Sequence, residues 1–314
     1  MSIESKIKKD IPLAPYTTFQ IGGSAKFFVE VKFGDDLEEA IAWAKKSGID
    51  YFIIGGGSNV LIPDEGLNGL VIKFTNDDIA NLTPRLHCGA GASLTSVLIA
   101  SRANSLSGIE WSAGIPKATI GGSVRGNAGA FGKSMSDIIE TVEAYNIKNK
   151  RFEFFSKNDC QFEYRSSIFK KDPNLLIWGA TINLRSANLE EIKEKVSDNV
   201  NYRNERQPKL PSAGSVFKNL FLKDIRDVNE KLYLHIMDEK KGKGGKIGAG
   251  YMVDLAGLKG KKIGGAKVSL EHANFIVNTG RATANDVIEL IKLIKKEVSM
   301  RFGIELEEEV QVMA

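Results

Sequence analysis

The chain has 314 residues, of which 42% are hydrophobic and 26% charged, and its formal net charge at pH 7 is +4. This composition is typical of a soluble globular protein, the length predicts two or three structural units, and no apolar run approaches membrane-spanning length. The mild charge, without basic blocks interleaved with aromatic residues, suits a small anionic substrate at least as well as nucleic acid, and we expect no nucleic-acid or membrane partner.

Hydrophobic periodicity predicts a mixture of helices and strands along the chain. A strand at residues 25–31 precedes a helix at residues 35–48, which begins with acidic residues, ends with basic residues and stops at a glycine. Further on we predict short strands at 51–54, 69–74 and 86–89, a helix at 93–105, a run of strands across 138–184 and a charged helix at 189–207.

The clearest helix lies in residues 282–303. Thr283 and Asp286 have the spacing of a capping box at its start. Apolar residues follow one face at helical spacing, namely Val287, Leu290, Ile291, Ile294 and Val298. Because the chain has no internal repeat and no βαβ series long enough for a doubly wound sheet, we predict an α+β fold with separate units.

The cysteines and the N-terminus indicate a compartment. Cys88 and Cys160 lie far apart in the sequence and have no CxxC or histidine-rich neighbours. We therefore predict free buried thiols rather than a disulfide, and no metal site. The polar N-terminus has no signal-peptide core, so we predict a cytoplasmic protein.

Two glycine-rich segments are the most informative part of the sequence. Residues 113–132 contain six glycines among small Ala and Ser residues, and residues 53–61, IIGGGSNVL, follow a strand-like run. Backbone with so little side-chain bulk lets N–H groups approach a ligand, usually a phosphate. Two such segments indicate a long ligand held at two places, such as a dinucleotide.

Each segment also has an interpretation without a ligand. Three glycines after a short apolar run form a tight strand connection more often than a phosphate site, and on the segment alone we would favour the connection. Neither segment has the G-x-G-x-x-G fingerprint that opens a helix or the G-K-[ST] of a phosphate-binding loop. A nucleotide would therefore require a different fold.

Six motifs occur together and carry a family resemblance. They are GGGSNVL (55–61), GIPKATIGGSVRGNAGAFG (114–132), YRSSIF (164–169), PSAGSVFKN (211–219), AGLKGKKIGGAKVS (256–269) and LEEEV (306–310). In their order and rough spacing, over residues 17–312, the chain resembles the UDP-N-acetylenolpyruvoylglucosamine reductases. Its length and the PSAGS motif resemble their shorter type II form.

The resemblance implies a fold, a reaction and its partners. The fold would be an FAD-binding fold of the vanillyl-alcohol-oxidase type in two subdomains, residues 1–75 and 76–190, followed by a substrate-binding domain at residues 191–314. The cofactor would be non-covalent FAD, with NADPH as co-substrate. In this family NADPH reduces FAD, and the reduced flavin converts the enolpyruvyl ether of a UDP-sugar to UDP-N-acetylmuramate for peptidoglycan. We expect the same UDP-sugar substrate and a monomeric enzyme.

The reaction requires particular groups around the substrate. Hydride delivery creates an enolate-like intermediate, so the site needs a cation or donors at the substrate's carboxylate. The resemblance assigns this role to Arg165 of the Y-R-x-S motif, whose planar fork suits a carboxylate better than lysine would. It assigns proton donation at the α-carbon to Ser215. An ordinary serine is a poor acid, and the sequence does not indicate which neighbours would stabilise its alkoxide.

The third catalytic group is a glutamate, and two arguments disagree about its position. Residues 304–313 alternate as a strand, and this periodicity places Glu308 among the buried residues and Glu309 on the polar side. The family motif instead has its carboxylate directly before the valine, which is Glu309. We predict Glu309, and a solvated edge strand is the alternative interpretation of this acidic run.

The resemblance also assigns the residues that bind cofactor and substrate. The cofactor-binding residues are Gly55, Gly56, Gly57, Ser58, Asn59 and Val60 in the first segment, and Gly114, Ile115, Pro116, Gly121, Gly122, Ser123, Asn127, Ala128 and Gly129 in the second. The substrate-binding residues are Tyr164, Lys218 and Asn219.

The chain departs from the family pattern at three places. The family has G-I-P-G before a small residue, whereas this chain has Lys117 and Ala118 and runs one residue longer. Lys117 either adds a cation near the pyrophosphate or points to solvent. Leu220 replaces a usual proline, and the stretch from there to Gly248 is longer than expected. We predict that residues 224–246 form mostly a surface excursion ending in a flexible loop, KKGKGGK.

Two other functions remain open at this point. An oxidase of the same flavin fold would act on an alcohol or hydroxy acid with oxygen as acceptor. Many such enzymes tether FAD to His or Cys, and His87, His235 and His272 offer no obvious tether. The second alternative is a nucleotide-binding module without catalysis.

Overall fold

The computed structural model describes residues 2–242 and 244–313. Its α-helices are α1 Gly34–Lys46, α2 Leu94–Ala103, α3 Ile120–Arg125, α4 Ile168–Lys171, α5 Leu189–Arg206, α6 Leu222–Val228, α7 Glu230–Asp238, α8 Ala249–Leu255 and α9 Ala284–Phe302. Short 3-10 helices lie at Ile3–Lys6, Ala14–Tyr16, Glu110–Ser112 and Met135–Asp137. Within the described residues, every helix is too short or too polar to cross a membrane.

Strands of two to nine residues make up the rest of the regular structure. They are β1 Lys8–Pro12, β2 Ser24–Val31, β3 Asp50–Ile54, β4 Val60–Leu61, β5 Leu67–Phe74, β6 Ile79–Leu82, β7 Arg85–Gly89, β8 Leu106–Ser107, β9 Gly129–Ala130, β10 Lys133–Ser134, β11 Ile139–Asn146, β12 Arg151–Ser156, β13 Leu175–Asn183, β14 Arg185–Ser186, β15 Leu220–Phe221, β16 Lys246–Ile247, β17 Lys262–Ile263, β18 Ala266–Val268, β19 Ile276–Asn278 and β20 Gln311–Val312. The mixture of helices and strands confirms the predicted α+β class.

The chain divides into two compact units. The first contains the chain up to Ile11, Ala25–Gly57 and Leu67–Arg203. The second contains Pro12–Ser24, Ser58–Gly66 and the chain from Asn204 onward. The division into residues 1–75, 76–190 and 191–314 stays a prediction.

The first unit contains two larger sheets. β1, β2, β5 and β3 form a four-stranded sheet in that order, in which β5 pairs parallel with both β2 and β3. β12, β11, β13, β7 and β6 form a five-stranded antiparallel sheet. Both sheets and α1 contribute to one buried core, which includes Leu37, Ile41, Leu70, Ile72, Leu86, Cys88, Val142, Cys160 and Ile182. Burial raises the pKa of each cysteine thiol to about 12, as expected for the predicted buried thiols.

Helix α1 forms where its charge pattern predicts it. Asp35 and Asp36 lie in its first turn and Lys45 and Lys46 in its last, so both ends complement the helix dipole. Shortly after the helix ends, the chain passes through Gly48 with a positive φ of 64°, a conformation that glycine adopts without strain. The strand that follows, β3, leads directly into the first glycine-rich segment.

The second unit is organised around α9 and the antiparallel sheet of β17, β18 and β19. The predicted capping box is confirmed, because the Thr283 hydroxyl accepts from the Asp286 N–H and the Asp286 carboxylate accepts from the Thr283 N–H. The predicted apolar face of α9 is also confirmed, with every one of its residues buried: Val287, Leu290, Ile291, Ile294 and Val298.

The prediction that residues 224–246 form mostly a surface excursion is wrong for their first part. Helices α6 and α7 occupy this stretch, and Ile225, Leu232 and Ile236 are buried in the core of the second unit. Leu232 and Ile236 are one helical turn apart, so α7 packs one face against the core and leaves Leu234 exposed. Lys243, within the predicted flexible loop, lies outside the described residues.

Candidate functional site

The two glycine-rich segments meet within the first unit. Gly55–Gly57 follow β3, and a Cβ on Gly56 would overlap the carbonyl oxygen of Lys117 in the second segment. A Cβ on Gly55 would lie 2.5 Å from Oγ1 of Thr119. Lys117 has a positive φ of 51°, which turns its carbonyl toward the first segment. The one-residue extension of the chain at this point therefore packs directly on the glycine turn.

Several buried polar atoms beside these segments lack partners. Oγ1 of Thr119, Oγ of Ser112, Nε1 of Trp111 and Oε1 of Glu110 have no hydrogen-bond partner among residues 2–242 and 244–313. All four side chains are at least nine-tenths buried. Of these atoms, Oγ1 of Thr119 lies at the glycine turn, 2.5 Å from a Cβ on Gly55. Since buried polar groups are nearly always hydrogen-bonded, this hydroxyl beside bare glycine backbone fits a phosphate of FAD.

Some of the predicted cofactor-binding glycines also have packing roles. A Cβ on Gly121 would approach Cβ of Ala90 to 3.0 Å, and a Cβ on Gly129 would overlap the carbonyl oxygen of Lys133. Gly122, in contrast, is close only to Oγ1 of Thr119, at 3.6 Å from its added Cβ. Packing within the chain therefore accounts for part of the glycine content.

A buried arginine that sequence analysis did not identify is hydrogen-bonded to the start of the second segment. Nη1 and Nη2 of Arg203 donate to the carbonyl oxygens of Ala113 and Trp111, at 2.5 and 2.9 Å. A Cβ on Gly114, whose φ is 83°, would lie 3.2 Å from Cδ of Arg203. The adjoining predicted residues, Ile115 and Pro116, are half-buried and exposed. The sequence predicted a charged helix at residues 189–207 but not this contact.

Arg165 lies on a tight turn in the first unit with a positive φ of 55°. Its Nη1 donates to the carbonyl oxygen of Gly129 at 3.2 Å, and its guanidinium lies 5.6 Å from the centre of the Tyr164 ring. Nδ2 of Asn127 donates to the carbonyl oxygen of Glu163 at 2.9 Å and thereby ties this turn to the second glycine segment. The turn therefore places the guanidinium of Arg165 beside the second glycine segment.

Ser215 lies in the second unit, in a short extended stretch. Gly214 precedes it with a positive φ of 76°. Asn274 fixes the following residues: its Oδ1 accepts from Phe217 N at 3.0 Å, its Nδ2 donates to Phe217 O at 2.9 Å, and its backbone oxygen accepts from Val216 N at 2.8 Å. Sequence analysis did not identify Asn274. The only signal in the sequence was an Asn within the run HANF.

Glu309 lies beside the Ser215 stretch. Its N–H donates to the carbonyl oxygen of Val216 at 2.7 Å, and its own carbonyl accepts from Nδ2 of Asn59 at 3.0 Å. Glu309 is half-buried, whereas Glu308 is exposed and pairs with Lys295 at 2.9 Å. Periodicity predicted that Glu308 is buried, and this prediction is wrong. The strand is interrupted, and within residues 304–313 regular pairing is found only at Gln311–Val312.

The predicted substrate-binding residues of the second unit flank the same stretch. Nζ of Lys218 forms an ion pair with Glu307 at 2.7 Å. Oδ1 of Asn219 accepts from Ala249 N at 3.3 Å, at the start of α8. In the second unit, residues 216–218 pair with residues 307–309, while Ser215 bridges to Phe275 and Asn219 contacts the start of α8.

The predicted site residues are shared between the two units. The first contains Gly55, Gly56, Gly57, Gly114, Ile115, Pro116, Gly121, Gly122, Ser123, Asn127, Ala128, Gly129, Tyr164 and Arg165, and the second contains Ser58, Asn59, Val60, Ser215, Lys218, Asn219 and Glu309. Among the described residues, no group of three or more His, Cys, Asp and Glu side chains could hold a metal ion.

Two family models match the chain. One, described as an FAD binding domain, matches residues 25–150. The other, described as the C-terminal domain of UDP-N-acetylenolpyruvoylglucosamine reductase, matches residues 206–313. The first match and the glycine cradle define the class: this is a flavoprotein with an FAD-binding domain, as the sequence predicted.

Full-length relatives specify the family. A UDP-N-acetylenolpyruvoylglucosamine reductase of Anoxybacillus flavithermus is 36% identical over 98% of this chain and 94% of the relative, and one of Solibacter usitatus is 35% identical over 97% of this chain and 96% of the relative. The crystal structure of UDP-N-acetylenolpyruvylglucosamine reductase (MurB) from Thermus caldophilus matches with a TM-score of 0.77 at 31% identity, covering 98% of this chain and 99% of that chain. The chain therefore belongs to the UDP-N-acetylenolpyruvoylglucosamine reductase family.

Proposed function

We propose that this chain catalyses the NADPH-dependent reduction of UDP-N-acetylglucosamine enolpyruvate to UDP-N-acetylmuramate, a precursor of peptidoglycan. The observation that carries this proposal is the match of 36% identity across 98% of the chain to a reductase of that name. All six motifs of the sequence analysis fall within the matched length. The substrate's UDP group also accords with a chain of mildly positive net charge.

FAD would be held non-covalently by the two glycine segments. Backbone N–H groups near Gly55, Gly57 and Gly122 can approach the diphosphate closely because no side chain intervenes. When bound and reduced by NADPH, FAD would supply the hydride that the β-carbon of the enolpyruvyl group accepts. The unpartnered hydroxyls of Thr119 and Ser112 would gain partners on the cofactor.

Arg165 is proposed to bind the carboxylate of the enolpyruvyl group. Negative charge develops on this carboxylate as the β-carbon accepts hydride, and a guanidinium held in place stabilises that charge without reorganising. The hydrogen bond to Gly129 and the contact with Tyr164 orient the side chain. Tyr164 is proposed to contact the substrate as well.

Ser215 is proposed to protonate the α-carbon. Its backbone is fixed by Asn274, so the hydroxyl is presented from a rigid stretch. Glu309 is proposed as the third catalytic group, because its backbone is hydrogen-bonded within the same stretch and its side chain is half-buried. Lys218 and Asn219 are proposed to bind the UDP-sugar.

The proposal extends to location, assembly and domain boundaries. We propose that the protein works in the cytoplasm, because its substrate is a nucleotide sugar, and that it acts as a monomer. The boundaries at residues 75/76 and 190/191 remain our proposed division into two FAD-binding subdomains and a substrate-binding domain.

The proposal is tested on the purified wild-type protein. We expect a flavin absorbance spectrum whose chromophore is released as FAD on denaturation, and NADPH oxidation that depends on UDP-N-acetylglucosamine enolpyruvate. A colourless protein that cannot be reconstituted with FAD would contradict the cofactor. Oxidation of an alcohol or hydroxy acid with oxygen, without activity on the UDP-sugar, would favour an oxidase of the same fold.

A further inference from the structure

Lys73, which the motifs do not include, lies beside the first glycine turn. It belongs to β5, is half-buried, and its Nζ donates to the carbonyl oxygen of Gly55 at 3.4 Å. Lys117 reaches the same turn from the second segment, since its carbonyl oxygen lies where a Cβ of Gly56 would be. Two lysines from different parts of the sequence therefore flank one turn.

The charges of these lysines influence each other. Burial lowers the pKa of Lys73 below its ordinary value, the carboxylate of Glu30 raises it, and the ammonium of Lys117 lowers it. The backbone of Lys117 packs on the turn whose Gly55 carbonyl accepts from Lys73, so both lysines belong to the surroundings of this turn. An anion bound there would relieve the repulsion and offset the burial.

A third group of the turn also indicates a ligand. Oγ1 of Thr119 has no hydrogen-bond partner among the described residues, and the side chain is only 8% exposed. This hydroxyl lies between the two glycine segments, 2.5 Å from an added Cβ on Gly55 and 3.6 Å from one on Gly122. A hydroxyl in this place can donate to an oxygen that approaches over the bare backbone.

We propose that Lys73 and Lys117 form a cationic pair that binds the diphosphate of the cofactor and makes this chain select FAD over flavins without a diphosphate. The inference rests on the proposed function, and it adds a charge-based contribution to binding by backbone N–H groups. A diphosphate between two adenosyl and ribityl arms carries two negative charges, whereas riboflavin carries none.

The two lysines should contribute unequally. Lys73 is half-buried, and a hydrogen bond from a charged donor in such a place strengthens binding by about tenfold or more. Lys117 is exposed, so water screens its charge and we expect about threefold. The contribution of Lys117 should also fall most as salt is added, because exposed charges are screened most strongly.

The test compares FAD and riboflavin binding to the apoprotein, measured by quenching of flavin fluorescence at low and high ionic strength. The variants are Lys73→Gln and Lys117→Gln, which remove the charge and keep most of the side-chain length. Lys157→Gln is the control, since Lys157 is an exposed lysine of the same unit on the turn after β12. Lys73→Arg tests whether a cation at this position restores binding.

We expect weaker FAD binding in both variants, unchanged riboflavin binding, and a control that matches the wild type. FAD affinities within twofold of the wild type in both variants would overturn the inference alone, as would an equal loss of FAD and riboflavin binding. Wild-type protein that takes up no FAD would overturn the proposed function together with it. Should Lys73→Gln fail to fold, Lys117→Gln on its exposed turn still decides the question.

Discussion

Ser215, the proposed proton donor, lies in a stretch whose backbone is fixed by its neighbours. The residue before it, Gly214, has a positive φ. After it, the N–H and the carbonyl oxygen of Phe217 are both hydrogen-bonded to the side chain of Asn274. The backbone next to the hydroxyl is therefore fixed. A fixed backbone restricts where a proton donor can meet the α-carbon of the substrate.

Ser215→Ala tests the proton-donating role. Loss of general acid catalysis typically lowers a rate by about 10² to 10⁴, and we expect a loss in or above that range for substrate-dependent NADPH oxidation. FAD content should stay unchanged, as should NADPH oxidation with ferricyanide as an artificial acceptor, because neither requires the hydroxyl. Ser212→Ala, in the same motif, is the control. A Ser215→Ala protein with the wild-type rate would make this serine structural.

Adjacent glutamates provide a matched comparison. Glu309 is half-buried and Glu308 is exposed. We expect Glu309→Gln to lower substrate-dependent turnover by at least about tenfold, because the change removes the carboxylate and keeps its shape. Glu308→Gln should leave turnover within about twofold, since it breaks only an exposed ion pair with Lys295. Steady-state NADPH oxidation measures both, and the reverse ranking would assign the catalytic role to Glu308.

Sequence could identify residues within motifs but not their supports. Ser215 and Glu309 were predicted from their positions in sequence motifs, which require no structure. Asn274 and Arg203 act on segments about 57 and 90 residues away, and no local pattern relates them to those segments. Periodicity placed Glu308 inside because it assumed a continuous strand, whereas the chain pairs there through a single bridge between Phe217 and Glu308.

At the scale of elements, α7 is a core-packed helix that sequence analysis missed because polar and charged residues surround it. Its flanking residues are polar, yet Leu232 and Ile236 are buried in the core of the second unit. Helix α9 was predictable because its capping box and five-residue apolar face are local signals. Helix α7 has only two buried positions in nine residues, and that is too weak a period to distinguish from a loop.

A pair of leucines on α7 tests its packing role. Leu232 is 6% exposed and Leu234 is 55% exposed. We expect Leu232→Ala to lower the free energy of unfolding by about 2 to 4 kcal/mol, because it leaves a cavity in the core. Leu234→Ala should change it by less than about 0.5 kcal/mol. Denaturant unfolding measures both, and equal effects would mean that α7 does not pack as described.

At the scale of the whole molecule, the proposed ligand contacts of the glycines and their packing contacts could not be separated from sequence alone. Their density correctly indicated a cofactor domain, which the FAD-binding family model matches. The reason given for the density was incomplete, since Gly56 and Gly129 leave room for backbone carbonyl oxygens of this chain. Such contacts depend on long-range packing, so they became visible only in the fold.

The proposed reaction is tested by identifying its product. The wild-type protein with FAD is incubated with NADPH and UDP-N-acetylglucosamine enolpyruvate, and the sugar nucleotides are analysed by mass spectrometry. We predict conversion to UDP-N-acetylmuramate, heavier than the substrate by two hydrogen atoms, with one NADPH consumed for each product molecule. An unchanged UDP-sugar from protein that holds FAD would contradict the proposed reaction.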